Sequence, residues 1–197
     1  MKFKFLGTEI YISFLFCATL CFMLAVDRTG LVVPTITAVA VHECGHLLAM
    51  WAAECQPKAI RLIPTSVQIT RGFSNKKYGE SGIALCGPVA NLVLFLALYA
   101  NFLMFESKKI LSFAILNLVL AFFNLLPVSG LDGGVLLAAF LSRFTDINKA
   151  YRIVQIVTMF FAFFAFLMGV YLALIGTFNI SVFIVALYLA VCGMMKR

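Results

Sequence analysis

The chain contains two histidines, and a glutamate lies beside the first of them. All three occur in the run V-H-E-C-G-H-L over residues 41–47, an H-E-x-x-H pattern within an apolar stretch. A helix advances about 100° per residue, so His42 and His46 stand one turn apart on one face, about 6 Å along the axis. Imidazoles placed in this way can share one zinc ion, and Glu43 can reach a water molecule without being a ligand. The pattern predicts metal-assisted hydrolysis with Glu43 as the general base.

A catalytic zinc ion needs a third protein ligand and one open position, and no third histidine exists. Of the seven acidic residues outside the motif, Asp132 alone falls inside an apolar region, where N-L-L-P-V-S-G-L-D-G-G (124–134) interrupts it. Unwound backbone at membrane depth must be buried in protein or line a wet cavity. The sequence therefore predicts one zinc ion per chain, bound by His42, His46 and Asp132.

Each of these residues also has a structural interpretation. The histidines could serve polar packing between helices, and Asp132 could cap a helix that begins at the following glycines. Capping does not exclude ligation. Three ionisable side chains within five residues are costly at membrane depth, and this cost favours a functional site.

The elements that must position these residues are membrane spans. The 197 residues are 63% hydrophobic and 12% charged, far from the composition of a soluble domain. Runs long enough to cross a bilayer occur at six places: 10–26, 31–53, 82–105, 110–141, 153–175 and 178–195. We expect an all-α polytopic membrane protein with about six transmembrane helices, a broken fourth helix region and small β hairpins at the membrane surface. It would form a single domain over 1–197, with core spans 31–53, 82–105 and 110–141.

Two segments alternate as strands do, residues 2–13 and residues 58–71, and Pro64 indicates an edge or a bend in the second. Exposed strand edges can bind an extended peptide through main-chain hydrogen bonds. A surface loop with accidental alternation is the other interpretation of each segment.

The basic residues indicate the orientation. If the N-terminus is cytoplasmic, 12 of the 15 lysines and arginines lie on the inside, which favours six spans with both termini in the cytoplasm. The net charge of +7 then reflects topology, and its scattered residues do not indicate nucleic-acid binding. No cleavable signal peptide is evident, so the first run is expected to remain as a helix. The six cysteines show no C-x-x-C pairing and are interpreted as small core residues.

Four motifs occur in a characteristic order: H-E-C-G-H (42–46), G-P-V-A-N (87–91), N-L-L-P (124–127) and L-D-G-G (131–134). In this order they resemble the site-2 protease family of intramembrane zinc metalloproteases, in particular the compact bacterial branch related to the protease that processes a membrane-tethered pro-sigma factor. The resemblance implies zinc ligation by His42, His46 and Asp132, with Glu43 as the base. It also implies that Asn124 contacts the substrate backbone or the oxyanion.

The resemblance further implies that Asn91 and Pro88 shape the helix beside the site. A helix-to-helix hydrogen bond is the usual role of a buried asparagine, and this is the favoured interpretation of Asn91. Many relatives have proline where this chain has Gly130, so this loop departs from the pattern of the family. Neither a PDZ nor a CBS domain is evident.

The expected partners are a membrane-tethered protein substrate and the lipid bilayer. An inhibitory or regulatory membrane protein is a further candidate partner. His46 lies seven residues before the end of its span, so the site is expected about 10 Å below the cytoplasmic surface of a bacterial membrane. A zinc transporter or sensor without peptidase activity is the alternative function, although no repeat symmetry supports it. A catalytically idle membrane adaptor is the third interpretation.

Overall fold

The computed structural model describes residues 2–5, 8–55, 57–63, 66–71 and 80–194. This part of the chain is mostly helical. Its elements in order are β1 (Lys2–Phe5), β2 (Thr8–Ile12), α1 (Phe14–Val26), α2 (Val32–Ala52), β3 (Pro57–Ile63), β4 (Ser66–Arg71), α3 (Glu80–Phe105), α4 (Lys108–Asn124), α5 (Asp132–Leu141), α6 (Ile147–Leu174) and α7 (Ile180–Met194).

Three helices in the described residues are long and apolar enough to cross a membrane: Val32–Ala52, Ser81–Phe105 and Ile147–Leu174. Helices α1, α5 and α7 are apolar but shorter. The predicted span over 10–26 is wrong at its start, because Ile10–Ile12 belongs to β2 and the helix begins only at Phe14. Alternation through Thr8–Ile12 fits strand pairing on both sides, and this pairing overrides the apolar character of the run.

The four strands form one sheet in the order β1-β2-β3-β4. Strand β1 pairs antiparallel with β2, and β3 pairs antiparallel with β4. The two pairs are joined because β2 runs parallel to β3, with Tyr11 opposite Arg61, so the sequence expectation of separate hairpins misses this pairing. The alternation over residues 2–13 also implies a turn at Gly7 and Thr8, of which Thr8 begins β2 and Gly7 lies outside the described residues. Pro64, where the sequence indicates an edge or a bend, lies outside them as well.

A cluster of polar side chains lies on the first two strands. The Tyr11 hydroxyl donates to Glu9 Oε2 at 2.6 Å, and Lys2 Nζ lies 3.4 Å from the same oxygen. The Tyr11 hydroxyl and then the Glu9 carboxylate raise the pKa of Lys2 above its usual value. Glu9 and Tyr11 are two residues apart on β2, and Lys2 lies opposite Tyr11 on β1, so the three side chains share one face of the sheet.

The turn between α1 and α2 is organised by one carboxylate. Asp27 Oδ1 accepts hydrogen bonds from the Thr29 and Gly30 amides, and Asp27 Oδ2 accepts one from the Val32 amide. These donors, with Val32 first, lower the pKa of Asp27. This turn fixes the start of α2, the helix that carries both histidines.

The chain divides into two compact units, the first comprising Met1–Tyr78 and Cys86–Phe122 and the second comprising Gly79–Leu85 and Phe123–Arg197. In the first unit, small side chains are buried on two helices, Ala38 on α2 and Ala114 and Ala121 on α4. A Cβ at Gly45 would lie 2.5 Å from the Cys86 carbonyl oxygen, so glycine permits α2 and α3 to approach closely.

The second unit contains α5, α6 and α7, with α6 packed against both of its neighbours. Its core cluster consists of Val128, Leu131, Ala162 and Leu189. Two of these residues belong to the segment between α4 and α5, which is therefore anchored by buried apolar side chains. The predicted break in the fourth helix region is present, with residues 125–131 separating the two helices.

All six cysteines are thiols, and their predicted burial is only partly right. Cys55 is buried, and Cys86 and Cys192 are half-buried. Cys17, Cys21 and Cys44 are exposed, because each lies on an outward face of an apolar helix.

Candidate metal centre

Helix α2 brings the two histidines together as their spacing predicts. The Nε2 atoms of His42 and His46 lie 3.2 Å apart, and their rings meet edge to face with centroids 4.8 Å apart. Two nitrogens bound at 2.0–2.1 Å to one tetrahedral zinc ion are separated by about 3.3–3.4 Å. The two nitrogens are therefore spaced as ligands of a single ion.

The space beside these nitrogens is kept open by a glycine on α3. A Cβ added at Gly87 would lie 2.8 Å from His42 Nε2 and would also collide with the His46 ring. Any side chain at this position would occupy the volume in front of both nitrogens. The His pair and the cradle left by Gly87 fit a metal ion.

The other ring nitrogen of His42 is held by an asparagine. His42 Nδ1 lies 3.0 Å from Asn91 Oδ1, and both residues are buried. A metal-binding histidine commonly donates its second N–H to such a partner, which fixes the ring and leaves the opposite nitrogen available as a ligand. The interpretation of Asn91 as a helix-to-helix hydrogen-bonding residue is thus extended, because its partner is a proposed ligand.

Glu43 and Asn124, the two predicted catalytic residues, lie on different helices. Glu43 is half-buried on α2, directly after His42. Asn124 is half-buried and is the last residue of α4. Their roles in catalysis remain predictions.

Asp132 is the first residue of α5, and Leu131 occupies the N-cap position before it. The alternative in which Asp132 itself caps the helix is therefore wrong. An acidic residue in the first turn still interacts favourably with the positive end of the helix dipole. Asp132 remains the predicted third ligand.

The first turn of α5 rests directly on the segment before it. A Cβ at Gly133 would collide with the carbonyl oxygens of Leu125 and Leu126, and one at Gly134 would collide with that of Val128. Only glycine allows this approach of backbone to backbone. The two glycines of the L-D-G-G motif therefore place Asp132 at a defined point beside the 125–131 segment.

A buried threonine on α6 fixes the same segment. The Ser129 amide donates to Thr158 Oγ1 at 2.8 Å, and Thr158 Oγ1 donates to the Val154 carbonyl at 2.7 Å. Thr158 has no exposed surface. The segment that precedes Asp132 is thus tied to a helix by a hydrogen bond as well as by its apolar side chains.

Gly130 has a backbone φ of +97°, a conformation that proline cannot adopt. The backbone at this position therefore differs from that of a loop with proline here. The segment is held instead by the hydrogen bond from the Ser129 amide to Thr158 and by the close backbone packing of Gly133 and Gly134.

Asn117, on α4, is a site residue that the sequence analysis missed. It is fully buried, and its Oδ1 accepts a hydrogen bond from Asn91 Nδ2 at 3.0 Å. Two signals could have found it: an asparagine inside an apolar run, and a distance of seven residues, or about two turns, from Asn124.

Residues 105–168 match the family model described as peptidase family M50. The matched segment begins at the end of α3 and contains Asn124 and Asp132, whereas His42 and His46 lie before it. The M50 match and the H-E-x-x-H pair are therefore independent observations.

Stage IV sporulation protein FB of Bacillus subtilis is 26% identical to this chain over 157 residues, covering 78% of this chain and 54% of that protein. A zinc metalloprotease of Methanocaldococcus jannaschii is 26% identical over 153 residues, covering 72% of this chain and 45% of that protein. The chain thus spans about half the length of these relatives.

The solved structure of the site-2 protease from Methanocaldococcus jannaschii matches with a TM-score of 0.72 at 24% identity. The match covers 98% of this chain and 93% of the other. It shows that this chain has the fold of that protease.

Proposed function

We propose that the protein is an intramembrane zinc metalloprotease, which hydrolyses a peptide bond within or next to a transmembrane segment of a membrane-tethered substrate. The observation that carries this proposal is the pair of Nε2 atoms of His42 and His46, 3.2 Å apart on an apolar helix. The match of residues 105–168 to the peptidase family M50 model supports a peptidase rather than a transporter or sensor.

His42, His46 and Asp132 would hold the zinc ion. Two imidazoles and one carboxylate are three protein ligands, which leaves one position open as catalytic zinc sites require. When bound, the ion would acidify a water molecule and polarise the peptide carbonyl. The half-buried position of Asp132 at the start of a helix, fixed by Gly133 and Gly134, supports its role as a ligand.

Glu43 would accept the proton of the attacking water and pass it to the leaving amine. Its place in the chain, next to His42 and one turn from His46, supports this role. The amide of Asn124 would donate a hydrogen bond to the carbonyl oxygen as negative charge develops there. A substrate helix must unwind locally before attack, since its carbonyls are already hydrogen-bonded, so clients with helix-weakening residues would be preferred.

The finer topology is also part of the proposal. Six spans, with both termini and the opening of the site on the cytoplasmic side of a bacterial membrane, agree with the distribution of lysine and arginine. The sheet would lie at the membrane surface, where an edge strand could bind the extended substrate. An inhibitory or regulatory membrane protein is a further proposed partner.

Replacement of Glu43 by glutamine tests the function. The substitution keeps size and polarity but removes the base, so cleavage should fall by about a hundredfold to ten-thousandfold while bound zinc stays the same. The assay is cleavage of tagged single-pass membrane proteins co-expressed with the protease, together with metal analysis of the purified protein.

Glu106→Gln is the matched control, because Glu106 is exposed at the end of α3. It should cut as the wild type does. A Glu43→Gln protein with wild-type cleavage would remove the proposed mechanism. A wild type that binds zinc and cuts no substrate in the panel would favour the transporter or sensor.

A further inference from the structure

The two asparagines in the core of the first unit form a chain of hydrogen bonds that ends at the proposed zinc ligand His42. Asn91 lies on α3 and Asn117 on α4, and neither has exposed surface. Buried amides are costly unless their hydrogen bonds are made. In this chain the bonds connect three helices to one imidazole.

The direction of every hydrogen bond follows from two backbone carbonyls, which can only accept. Asn117 Nδ2 donates to the Phe113 carbonyl at 2.9 Å, so its Oδ1 faces Asn91. Asn91 Nδ2 donates to that oxygen at 3.0 Å and to the Ala38 carbonyl at 3.1 Å. The two amide groups therefore cannot be turned over without losing donors.

The orientation of Asn91 determines the protonation of His42. Because both hydrogens of Asn91 Nδ2 are directed elsewhere, its Oδ1 is the atom that faces His42 Nδ1, at 3.0 Å. An oxygen that accepts there requires the proton on Nδ1. The lone pair is then on Nε2, the nitrogen 3.2 Å from His46 Nε2.

We infer that Asn91 and Asn117 are positioning residues, a relay that fixes the ring orientation and the Nδ1–H tautomer of His42 so that Nε2 is ready to bind metal. Asn117 acts only through Asn91. The inference rests on the proposed role of His42 as a zinc ligand. A role in helix packing alone would leave tautomer and metal affinity unchanged when the relay is altered.

The first measurement uses the fact that the chain has only two histidines. Metal-free protein labelled with 15N-histidine should give signals from two imidazoles, and the His46→Gln variant would assign them. With both imidazoles neutral, we expect His42 to carry its proton on Nδ1. In Asn91→Leu, and to a smaller extent in Asn117→Leu, the two tautomers should mix.

The second measurement is zinc affinity by competition with a chelator. Loss of a partner that orients a metal ligand typically weakens binding about tenfold to a hundredfold, and we expect this for Asn91→Leu. Asn117→Leu should lie at the lower end, about tenfold. Asn91→Asp keeps an acceptor for the Nδ1–H and should bind zinc at least about tenfold more tightly than Asn91→Leu.

Met50→Ala is the control for general damage to the core, because Met50 is 1% exposed on the same helix as His42 and lies outside the relay. It should lower the unfolding temperature and leave the tautomer and the zinc affinity as in the wild type. Equal loss of zinc binding in Met50→Ala and Asn91→Leu would overturn the inference, as would unchanged binding in Asn91→Leu.

The tautomer of His42 in the wild-type protein tests the relay without any substitution. The test therefore holds even if the Asn91 or Asn117 variants do not fold. Zinc-binding wild-type protein with His42 protonated on Nε2 would contradict the relay alone. Wild-type protein that binds no zinc would contradict the proposed function.

Discussion

At the scale of single residues, the absence of a side chain at Gly87 matters as much as the presence of the two imidazoles. A Cβ there would occupy the position 2.8 Å from His42 Nε2 and would press on the His46 ring. To avoid this Cβ, the two rings would have to rotate, and their Nε2 atoms would no longer face a common metal position. Space for the metal is thus created by the chain itself.

Gly87→Ala is therefore expected to weaken zinc binding by about tenfold or more, the scale at which metal sites respond to misplaced ligands. Metal analysis after dialysis against a graded chelator would measure it. Gly82→Ala, on the same helix with nothing within 4 Å of the added Cβ, serves as the control and should retain zinc. Full zinc affinity in Gly87→Ala would mean that the metal does not use this space.

The sequence was sufficient to predict the pair of histidines, but not the hydrogen bonds that hold His42 in place. Helical periodicity alone puts His42 and His46 on one face. The link from His42 through Asn91 to Asn117 depends on how three helices pack, and the residues are 49 and 26 positions apart along the chain. A local sequence pattern does not indicate contacts between residues so far apart in the chain.

At the scale of elements, the segment between α4 and α5 behaves as an ordered part of the second unit. It is held by the core side chains Val128 and Leu131, by the hydrogen bond of Ser129 to Thr158, and by the glycines that begin α5. Gly130 lies within it at a φ of +97°. The break was predictable from proline and glycine content, whereas the left-handed residue was not, since it depends on the path imposed by these contacts.

We expect Gly130→Ala to lower the free energy of unfolding by about 1–3 kcal/mol, because a residue with a Cβ is strained at this φ. Gly130→Pro should cost more, since proline cannot reach a positive φ. Thermal unfolding in detergent would measure both. An unchanged or raised stability of Gly130→Pro would contradict this account, and Gly82→Ala, at an exposed helical site, should be neutral or slightly stabilising.

At the scale of the whole molecule, the proposed ligands come from distant parts of the chain, His42 and His46 from α2 and Asp132 from α5. A ligand that binds only the folded state stabilises that state in proportion to its concentration relative to Kd. Zinc binding should therefore raise the free energy of unfolding of the whole protein.

Zinc at 100 times Kd should add about 2.7 kcal/mol to the stability of the wild type, and a chelator should remove this gain. Asp132→Ala should show little of the increase at the same zinc concentration. The control is Asp146→Asn, an exposed carboxyl before α6, which should respond as the wild type does. Thermal unfolding with and without zinc gives the measurement, and an undiminished response in Asp132→Ala would exclude that residue as a ligand.

Apolar runs and motif order predicted a helical membrane protein and the residues of its candidate site. The alternation over residues 2–13 predicted strands there, but it did not predict that β2 lies parallel to β3. Pairing between strands that are distant in the chain is a property of the folded unit and leaves no local signature.

The parallel pairing of β2 with β3 has a consequence for biosynthesis. Strand β2 leaves the ribosome about 45 residues before β3, a delay of about 2–9 s at ordinary rates of translation. A two-stranded hairpin is barely stable by itself in water, so β1 and β2 must wait while α1 and α2 are synthesised and delivered to the bilayer. The sheet is therefore completed only after the helix that carries His42 and His46 has been made.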